Sequence, residues 1–228
     1  MVREAVRAGV VVELFGTRDA LHRYADLVEQ SAARISPITE EALVSLAETV
    51  APQGLVAVCA AVDVPLSVAL DRAPRLVAVL AGIRDPGNAG TVLRTADAAG
   101  AGTVIFAGDA VDPYNGKCVR ASAGSLFHLD VVRAADPDRV VGQLRAAGLR
   151  VLATDPYGAT DLDDLADSGR LAAPTAWLFG SEAHGLPEAL AGTADARVRV
   201  PLHGRAESLN LAAAAAVCLY ASARALRS

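Results

Sequence analysis

Aromatic residues are scarce in this 228-residue chain: Phe, Trp and Tyr make up 4% of it, whereas hydrophobic residues make up 53%. Its core must therefore be built mainly from Ala, Val and Leu. Cysteine is also rare, and Cys59, Cys118 and Cys218 lie too far apart to form a Cys-x-x-Cys pair, so neither a zinc site nor a redox pair is supported. The odd number and the apolar surroundings of Cys59 and Cys218 indicate reduced, buried thiols and a cytoplasmic protein.

Long apolar runs are absent as well. No stretch of about 18 apolar residues is free of charges or helix breakers, so the sequence predicts no membrane span. The N-terminal segment carries charges at Arg3, Glu4 and Arg7 without a cleavage-site pattern, which argues against a signal peptide. The patterns G-x-G-x-x-G and G-x-x-x-x-G-K-[ST] are also missing, which excludes the usual dinucleotide and triphosphate loops.

Positive charge comes almost entirely from arginine, because Lys117 is the only lysine. The net charge of −5 argues against a surface coated with nucleic-acid-binding charge, but it permits a local basic surface. Arginine suits such a surface, since its guanidinium group forms paired hydrogen bonds with phosphate.

Apolar, β-rich runs alternate with helical patterns along almost the whole chain. The predicted strands are 10–15, 55–62, 76–83, 103–107, 126–132, 149–154, 175–180 and 196–202. The predicted helices are 19–31, 40–49, 88–99, 137–147, 187–191 and 207–226. Several strands, such as LVAVLAGI and AWLFG, are continuous apolar runs, which are typical of strands covered on both faces. The alternation predicts an α/β protein with a mostly parallel sheet.

A domain boundary is expected within residues 65–75, where a Pro-flanked, mildly polar segment separates two apolar strands. We therefore expect one small α/β domain in residues 1–70 and a larger domain in residues 75–228. The small domain opens on a helical pattern, VREAVRAG, before its first strand. This order suggests that its first elements are missing from the sequence.

The first polar loop, GIRDPGNAGTVLRTADAAG, leaves a buried strand and turns into a helix near Asn88. Asn88 suits the N-cap of that helix, and Gly90 permits a close approach of the backbone to another group. Arg94 follows nearly two turns later. A capped turn with a surface arginine is the alternative interpretation of this loop.

The second loop, WLFGSEAHGLP, ends a strand at Gly180 and surrounds Glu182 with two glycines. Such a loop can wrap a ligand with backbone groups, although an ordinary strand–turn–helix connection has the same composition. His184 has no His or Cys partner at ligand spacing, so no metal is expected.

The third loop, PLHGRAESLN, leads into five consecutive alanines. Ser208 and Asn210 are expected at the N-terminus of the helix, either as caps or facing a ligand. Ligands in open α/β sheets bind beyond the carboxyl ends of the strands, where all three loops are expected. The small alanine side chains indicate that the helix packs tightly against a sheet or another subunit.

Together the three loops resemble the three motifs of the SpoU/TrmH-type methyltransferases of the SPOUT superfamily. The N-x-G-x-x-x-R motif is matched by Asn88, Gly90 and Arg94, with Thr95 and Ala96 following. The second motif is matched by Leu178, Phe179, Gly180, Ser181, Glu182 and Gly185. The third is matched by Pro201, Leu202, Gly204, Glu207, Ser208, Leu209 and Asn210. The three motifs occur in the family's order within residues 75–228.

The resemblance implies a C-terminal SPOUT fold with a deep trefoil knot, a bent S-adenosylmethionine held by the knot loops, and a homodimer in which two subunits complete each site. It implies methylation of a ribose 2′-hydroxyl in RNA, with large-subunit rRNA favoured. Residues 1–70 resemble, more loosely, a small ribosomal-protein-like α/β domain that binds RNA.

The resemblance also implies roles for individual residues. The catalytic residues are Arg94, Asn88, Glu182, Ser208 and Asn210. The cofactor is held by Thr154, Asp155, Leu178, Phe179, Gly180, Ser181, Glu182, Gly185, Val200, Pro201, Leu202, Ser208, Leu209 and Asn210. RNA is contacted by Arg84, Asn88, Arg94, Lys117, Arg120 and Arg205, and Ser122 and Gly124 face it in the segment 112–132. No metal and no membrane is implied.

Three other functions compete with this interpretation. A Rossmann-type nucleotide enzyme needs a glycine-rich loop after its first strand, which is missing. A SPOUT relative that binds RNA without catalysis would not need the polar residues of all three motifs. A tRNA 2′-O-methyltransferase has the same chemistry, but the small N-terminal domain favours rRNA.

Overall fold

The computed structural model describes residues 1–47, 49 and 51–227, and it divides into two compact units, Met1–Val62 and Asp63–Ser228. The division falls a few residues before the expected range 65–75. The reason is a backbone hydrogen bond of 2.9 Å from the Val64 amide to the Val131 carbonyl, together with a short helix, Leu66–Asp71, whose Ala69 is fully buried. These contacts join the expected linker to the second unit.

The first unit is built around a small mixed sheet. Its elements are α1 (Val2–Arg7), β1 (Val11–Gly16), α2 (Arg18–Arg23), α3 (Ala25–Gln30), β2 (Arg34–Pro37), α4 (Glu40–Ala47) and β3 (Leu55–Cys59). Strand β1 lies between β2, which is parallel to it, and β3, which is antiparallel. The predicted helix 19–31 is two helices because Tyr24 departs from helical geometry, and Glu48 of the predicted helix 40–49 lies outside the described residues.

The second unit alternates strands and helices. Its elements are α5 (Leu66–Asp71), β4 (Leu76–Ala81), α6 (Pro86–Ala99), β5 (Thr103–Ala107), α7 (Gly116–Ser122), β6 (Asp130–Ala134), α8 (Pro137–Ala146), β7 (Arg150–Thr154), β8 (Thr160–Asp161), α9 (Leu162–Asp167), β9 (Thr175–Phe179), α10 (Glu188–Gly192), β10 (Ala196–Arg199) and α11 (Leu211–Ala225). Short 3-10 turns occupy Ser125–Phe127 and Arg170–Ala172.

The sheet of the second unit runs in the order β6-β5-β4-β9-β7-β10-β8, and its neighbouring strands pair in parallel. Every residue of β4, β5 and β9 is buried, as their continuous apolar sequences predict. The prediction of an α/β protein with a mostly parallel sheet is confirmed for this unit. No helix in the described part of the chain combines the length and apolar character needed to cross a bilayer.

Two predicted elements are displaced by local geometry. The expected strand 126–132 begins as a 3-10 turn, because Gly124 takes a φ of 109° and the amides that follow bond back within the turn. Strand β6 therefore starts only at Asp130. The expected strand 196–202 ends at Arg199, shortly before Pro201, which has no amide proton for a strand ladder.

The alanine-rich helix α11 packs against α6, α9, β4 and β9. Ala212 and Ala215 are buried on the face that makes these contacts, where the small side chains permit a close approach. Further along α11, the buried Trp177 indole donates a hydrogen bond of 2.9 Å to the Ser222 hydroxyl. This bond satisfies the one polar atom of the only tryptophan and anchors α11 to β9.

Helices α6 and α7 approach each other closely at Gly90. A Cβ atom on Gly90 would lie 2.3 Å from the Cys118 carbonyl oxygen and 2.6 Å from the Ala121 Cβ. The close backbone approach predicted at this glycine is confirmed, and the backbone it meets is that of α7.

We expect Gly90→Ala to lower the free energy of unfolding by about 1–3 kcal/mol, because α7 must move to admit the methyl group. Urea denaturation measures this change. The matched control is Gly142→Ala on α8, where nothing lies within 4 Å of the added Cβ. It is expected to stabilise the protein by about 0.5–1 kcal/mol, since alanine favours a helix more than glycine does. Equal stability of the two variants would contradict the packing argument.

Candidate active site

The three polar loops meet because of the strand order. Strands β4, β9, β7 and β10 are consecutive neighbours and run parallel, so their carboxyl ends lie along one edge of the sheet. The loops that start at this edge hold the first motif after β4, the second after β9 and the third after β10. The loop that follows β7 lies between the last two.

Asp85, rather than Asn88, caps helix α6. The helix begins at Pro86, and the Asp85 carboxylate accepts a hydrogen bond of 3.0 Å from the Asn88 amide. Proline is favoured at the first helical position, which explains why the helix starts two residues before the predicted Asn88. The second carboxylate oxygen of Asp85 accepts 2.8 Å from the Lys117 ammonium group, and this hydrogen bond lowers the pKa of Asp85.

The capping shift leaves the Asn88 side chain free to join the other two motifs. Its amide nitrogen donates to the Glu182 carboxylate at 2.8 Å, and its carbonyl oxygen accepts from the Asn210 amide at 3.2 Å. These partners lie 94 and 122 residues away in the sequence. One side chain therefore connects the loops after β4, β9 and β10.

Asn210 is the N-cap of α11. Its side-chain oxygen accepts from the amides of Ala212 and Ala213 at 2.9 and 3.3 Å, while its nitrogen reaches Asn88. The predicted position of Asn210 at the start of the helix is confirmed, but the predicted start of the helix near Ser208 is wrong. Ser208 lies before the cap in an exposed loop.

The second motif forms a tight, closed loop. The backbones of Ser181 and Gly185 exchange two hydrogen bonds of 3.0 and 2.8 Å, and the Ser181 hydroxyl accepts from the His184 amide at 3.3 Å. A Cβ on Gly180 would lie 2.2 Å from the Gly185 backbone. Gly185 itself has a φ of +66°. Both glycines are therefore required for the loop to close.

The end of β7 is tied to the two strands beside it, β9 and β10. The Thr154 hydroxyl donates to the Leu178 carbonyl at 2.9 Å, and the Asp155 amide donates to the Val198 carbonyl at 2.9 Å. The Asp155 carboxylate accepts from the Tyr157 amide at 2.8 Å. Thr154 and Asp155 thus hold three adjacent strand ends in register.

Arg197 on β10 is a residue of this edge that the sequence analysis missed. Its guanidinium group binds the Glu188 carboxylate at 2.6 and 2.9 Å and lies 4.0 Å from the Asp155 carboxylate. The hydrogen bond from Arg197 lowers the pKa of Glu188. Arg197, Val198 and Arg199 form the alternating polar and apolar pattern of a strand. Nothing in this pattern indicates that two carboxylates lie near Arg197.

The residues expected to bind a cofactor differ in which of their atoms a ligand could reach. Leu178 and Phe179 are fully buried, so only their backbone is available. Gly180 is buried, Val200 and Pro201 are partly exposed, and the side chains of Leu202 and Leu209 are each 39% exposed. Leu202 and Leu209 are therefore the expected cofactor-binding residues whose apolar side chains are open to solvent.

Four of the expected RNA-binding cations are exposed and available. Within residues 1–47, 49 and 51–227, no hydrogen bond or ion pair joins their side chains to the protein. These four are Arg84, Arg94, Arg120 and Arg205. Lys117 differs because it is paired with Asp85.

Two expected RNA contacts are contradicted by burial. Ser122 is fully buried at the end of α7, and its hydroxyl donates to the Val119 carbonyl at 2.8 Å. Gly124 is also buried and takes a left-handed φ that forms the following turn. Both residues shape the segment between α7 and β6, and neither faces RNA.

Among the described residues, no three His, Cys, Asp or Glu side chains are grouped to hold a metal ion. Burial raises the pKa of Cys118 and of Cys218 to about 12, so both thiols stay protonated at neutral pH.

Three linked loops beyond the strand ends of a parallel α/β sheet lie where proteins of this class bind their ligands. Residues 75–220 match the SpoU rRNA Methylase family. The chain belongs to this family, and the resemblance drawn from the three motifs is confirmed.

Similar proteins support the same assignment. The 23S rRNA (guanosine(2553)-2′-O)-methyltransferase RlmP of Bacillus subtilis is 34% identical over 220 residues, which cover 96% of this chain and 84% of the relative. A solved AdoMet-bound rRNA methyltransferase from Sinorhizobium meliloti has a TM-score of 0.85 at 33% identity, covering 100% of this chain and 85% of that one. The SpoU methyltransferase AviRb from Streptomyces viridochromogenes, solved with AdoMet, has a TM-score of 0.83 at 35% identity, covering 98% and 87%.

The two functions of the Asn210 side chain can be separated by substitution. Asn210→Ala removes the cap of α11 and is expected to lower the free energy of unfolding by about 1 kcal/mol. Asn210→Ser keeps an oxygen that can cap the helix but lacks the amide that donates to Asn88. We expect the serine variant to unfold near the wild-type temperature and to transfer methyl groups more slowly.

Thermal unfolding and tritium-methyl transfer to RNA, measured side by side, test this prediction. Full methyl transfer by Asn210→Ser would show that the bond to Asn88 is dispensable. Equal loss of stability in both variants would show that the cap is not the stabilising contact.

Proposed function

We propose that this chain is an S-adenosylmethionine-dependent methyltransferase that acts on a ribose 2′-hydroxyl of RNA, and that its substrate is large-subunit rRNA. The observation that carries the proposal is the Asn88 bridge between Glu182 and Asn210, because it joins all three motif loops at one sheet edge. The relatives from Bacillus subtilis and Sinorhizobium meliloti, whose names specify rRNA, support rRNA over tRNA. An rRNA substrate supports a cytoplasmic location.

The loops after β7, β9 and β10 would hold the cofactor. Backbone groups of Leu178, Gly180 and Val200 and the exposed side chains of Leu202 and Leu209 supply the polar and apolar surfaces that an adenosine needs. When bound, S-adenosylmethionine supplies a methyl group activated by a positively charged sulfur. The protein's task is then to hold the ribose hydroxyl in line with that methyl group, since orientation can lower the barrier of such a reaction by about 7–11 kcal/mol.

Arg94 serves as an electrostatic clamp in this mechanism. It lies on the exposed face of α6, and no partner of its guanidinium group occurs in the described ranges 1–47, 49 and 51–227. A guanidinium group has five N–H donors and no acceptor, so it cannot accept the hydroxyl proton. Arg94 instead holds an RNA phosphate and the developing alkoxide, and the proton leaves to a phosphate oxygen or to water.

A small set of cations suffices for RNA binding by an acidic protein. Arg84, Arg94, Arg120 and Arg205 are exposed and available for phosphate contacts. Each phosphate contact releases counterions, so a few contacts produce a shallow dependence of affinity on salt. Residues 1–70 would add contacts through their small α/β unit.

We further propose a homodimer through α11 and α6 in which one protomer supplies Arg94 to the site of its partner. Val217 and Tyr220 are 43% and 53% exposed on the same face of α11, one turn apart. Large apolar side chains on a helix face are typical of a subunit interface. The SPOUT trefoil knot also belongs to this proposal, and the contacts of α11 with the sequence-distant β4 and α6 support it.

Arg94→Ala is expected to abolish methyl transfer while leaving S-adenosylmethionine affinity near that of the wild type. Loss of one charged contact to the developing alkoxide costs about 3–4 kcal/mol, or more than a hundredfold in rate. Tritium-methyl incorporation into rRNA measures the first quantity and calorimetry the second. Retained turnover would reject the role of Arg94.

Gly180→Val is expected to prevent cofactor binding, because its side chain would collide with the Gly185 backbone and open the loop. Calorimetry with S-adenosylmethionine tests this directly. Mixing the Gly180→Val and Arg94→Ala proteins then tests the shared site. Random exchange should restore about a quarter of wild-type activity, since each mixed dimer contains one complete site. No recovery after verified subunit exchange would exclude a site shared between protomers.

A further inference from the structure

Lys117 occupies a position that differs from those of the other basic residues near the site. Its ammonium group donates to the Asp85 carboxylate at 2.8 Å, whereas Arg120, one turn along the same helix, has no partner in the described part of the chain. The sequence analysis grouped both residues as RNA contacts. The geometry separates them.

Asp85 is shared between Lys117 and the first turn of α6. One carboxylate oxygen accepts from Lys117 and the other from the Asn88 amide. The same Asn88 carries the side chain that bridges Glu182 and Asn210. A continuous set of hydrogen bonds therefore runs from Lys117 through Asp85 to the residue that joins the three loops.

Gly87 makes room for this arrangement. A Cβ on Gly87 would lie 3.0 Å from the Lys117 Cε, 3.2 Å from its Nζ and 3.1 Å from an Asp85 carboxylate oxygen. The Lys117 side chain thus lies directly across the first turn of α6. The packing of α6 against α7 at Gly90 holds the backbone that carries Lys117 at this distance.

We propose that Lys117 is a positioning residue that acts through Asp85 to orient Asn88, and that its contribution to the reaction is alignment of the motif loops rather than contact with an RNA phosphate. This inference rests on the proposed methyltransferase function for its kinetic readout only. The hydrogen-bonded path itself is a property of the folded chain. A single exposed pair has a modest effect, so the expected change in rate is several-fold rather than complete loss.

The first experiment compares Lys117→Met with Arg120→Met in the full-length protein. Lys117→Met is expected to lower turnover at saturating RNA about three- to fivefold while RNA affinity and its salt dependence stay unchanged. Arg120→Met is expected to weaken RNA binding and to reduce the slope of log affinity against log salt by about one. If Lys117→Met instead behaves like Arg120→Met, Lys117 is a phosphate contact and the proposal fails.

A second variant leaves all charges in place. Gly87→Ala would place a Cβ atom 3.0 Å from the Lys117 Cε and 3.1 Å from an Asp85 carboxylate oxygen, so these groups must shift by a few tenths of an ångström. It should therefore lower turnover in the same direction as Lys117→Met, but by less. Lys117→Arg can still donate to Asp85, so it should recover part of the lost rate. Unchanged turnover in Gly87→Ala would contradict a role that depends on this contact.

Amide hydrogen exchange tests the path without RNA or cofactor. Loss of the Lys117 hydrogen bond to Asp85 is expected to raise the exchange rate of the Asn88 amide about three- to fivefold in Lys117→Met, but not in Arg120→Met. An unchanged rate overturns the positioning role. Faster exchange in a protein whose wild type methylates no RNA would instead uphold the positioning role and reject the proposed function.

Discussion

The carboxamide of Asn88 is the group on which the geometry of the site depends. Its nitrogen donates a hydrogen bond to the Glu182 carboxylate, and its oxygen accepts one from the Asn210 amide. A single planar group therefore binds one acceptor and one donor. A carboxylate at this position could not donate to Glu182, and an ammonium group could not accept from Asn210. The three loops have no regular secondary structure in common, and this side chain connects them directly.

Small residues create the space in which that connection forms. Gly90 admits the backbone of α7 against α6, and Gly180 permits the second loop to close on itself. The alanines of α11 allow the helix to lie against the sheet, where Trp177 and Ser222 fix it. The geometry of the site therefore depends on close packing as much as on polar contacts, because a shift of α11 would carry Asn210 away from Asn88.

Some features were predictable because their cause is local. Continuous apolar sequences predicted the buried strands of the second unit, and alternation with helices predicted their parallel order. Exact element ends were less predictable. Asp85, rather than Asn88, caps α6, because Pro86 favours an earlier start of that helix. Asn210, rather than Ser208, caps α11, because tertiary contacts favour a later start there. Ser122 was predicted to face RNA but is buried. The sequence of α7 does not show which face of the helix packs against α6, so this burial was not predictable.

The sequence by itself determined the class of fold, the family and the identity of the three loops, because periodicity and short motifs are properties of neighbouring residues. Only the tertiary structure decided which polar side chains share hydrogen bonds. Asn88 with Glu182, Lys117 with Asp85, and Arg197 with Glu188 are pairs set by strand order and helix packing. No spacing along the chain specifies such pairs, since their distance depends on how the whole sheet brings its strand ends together.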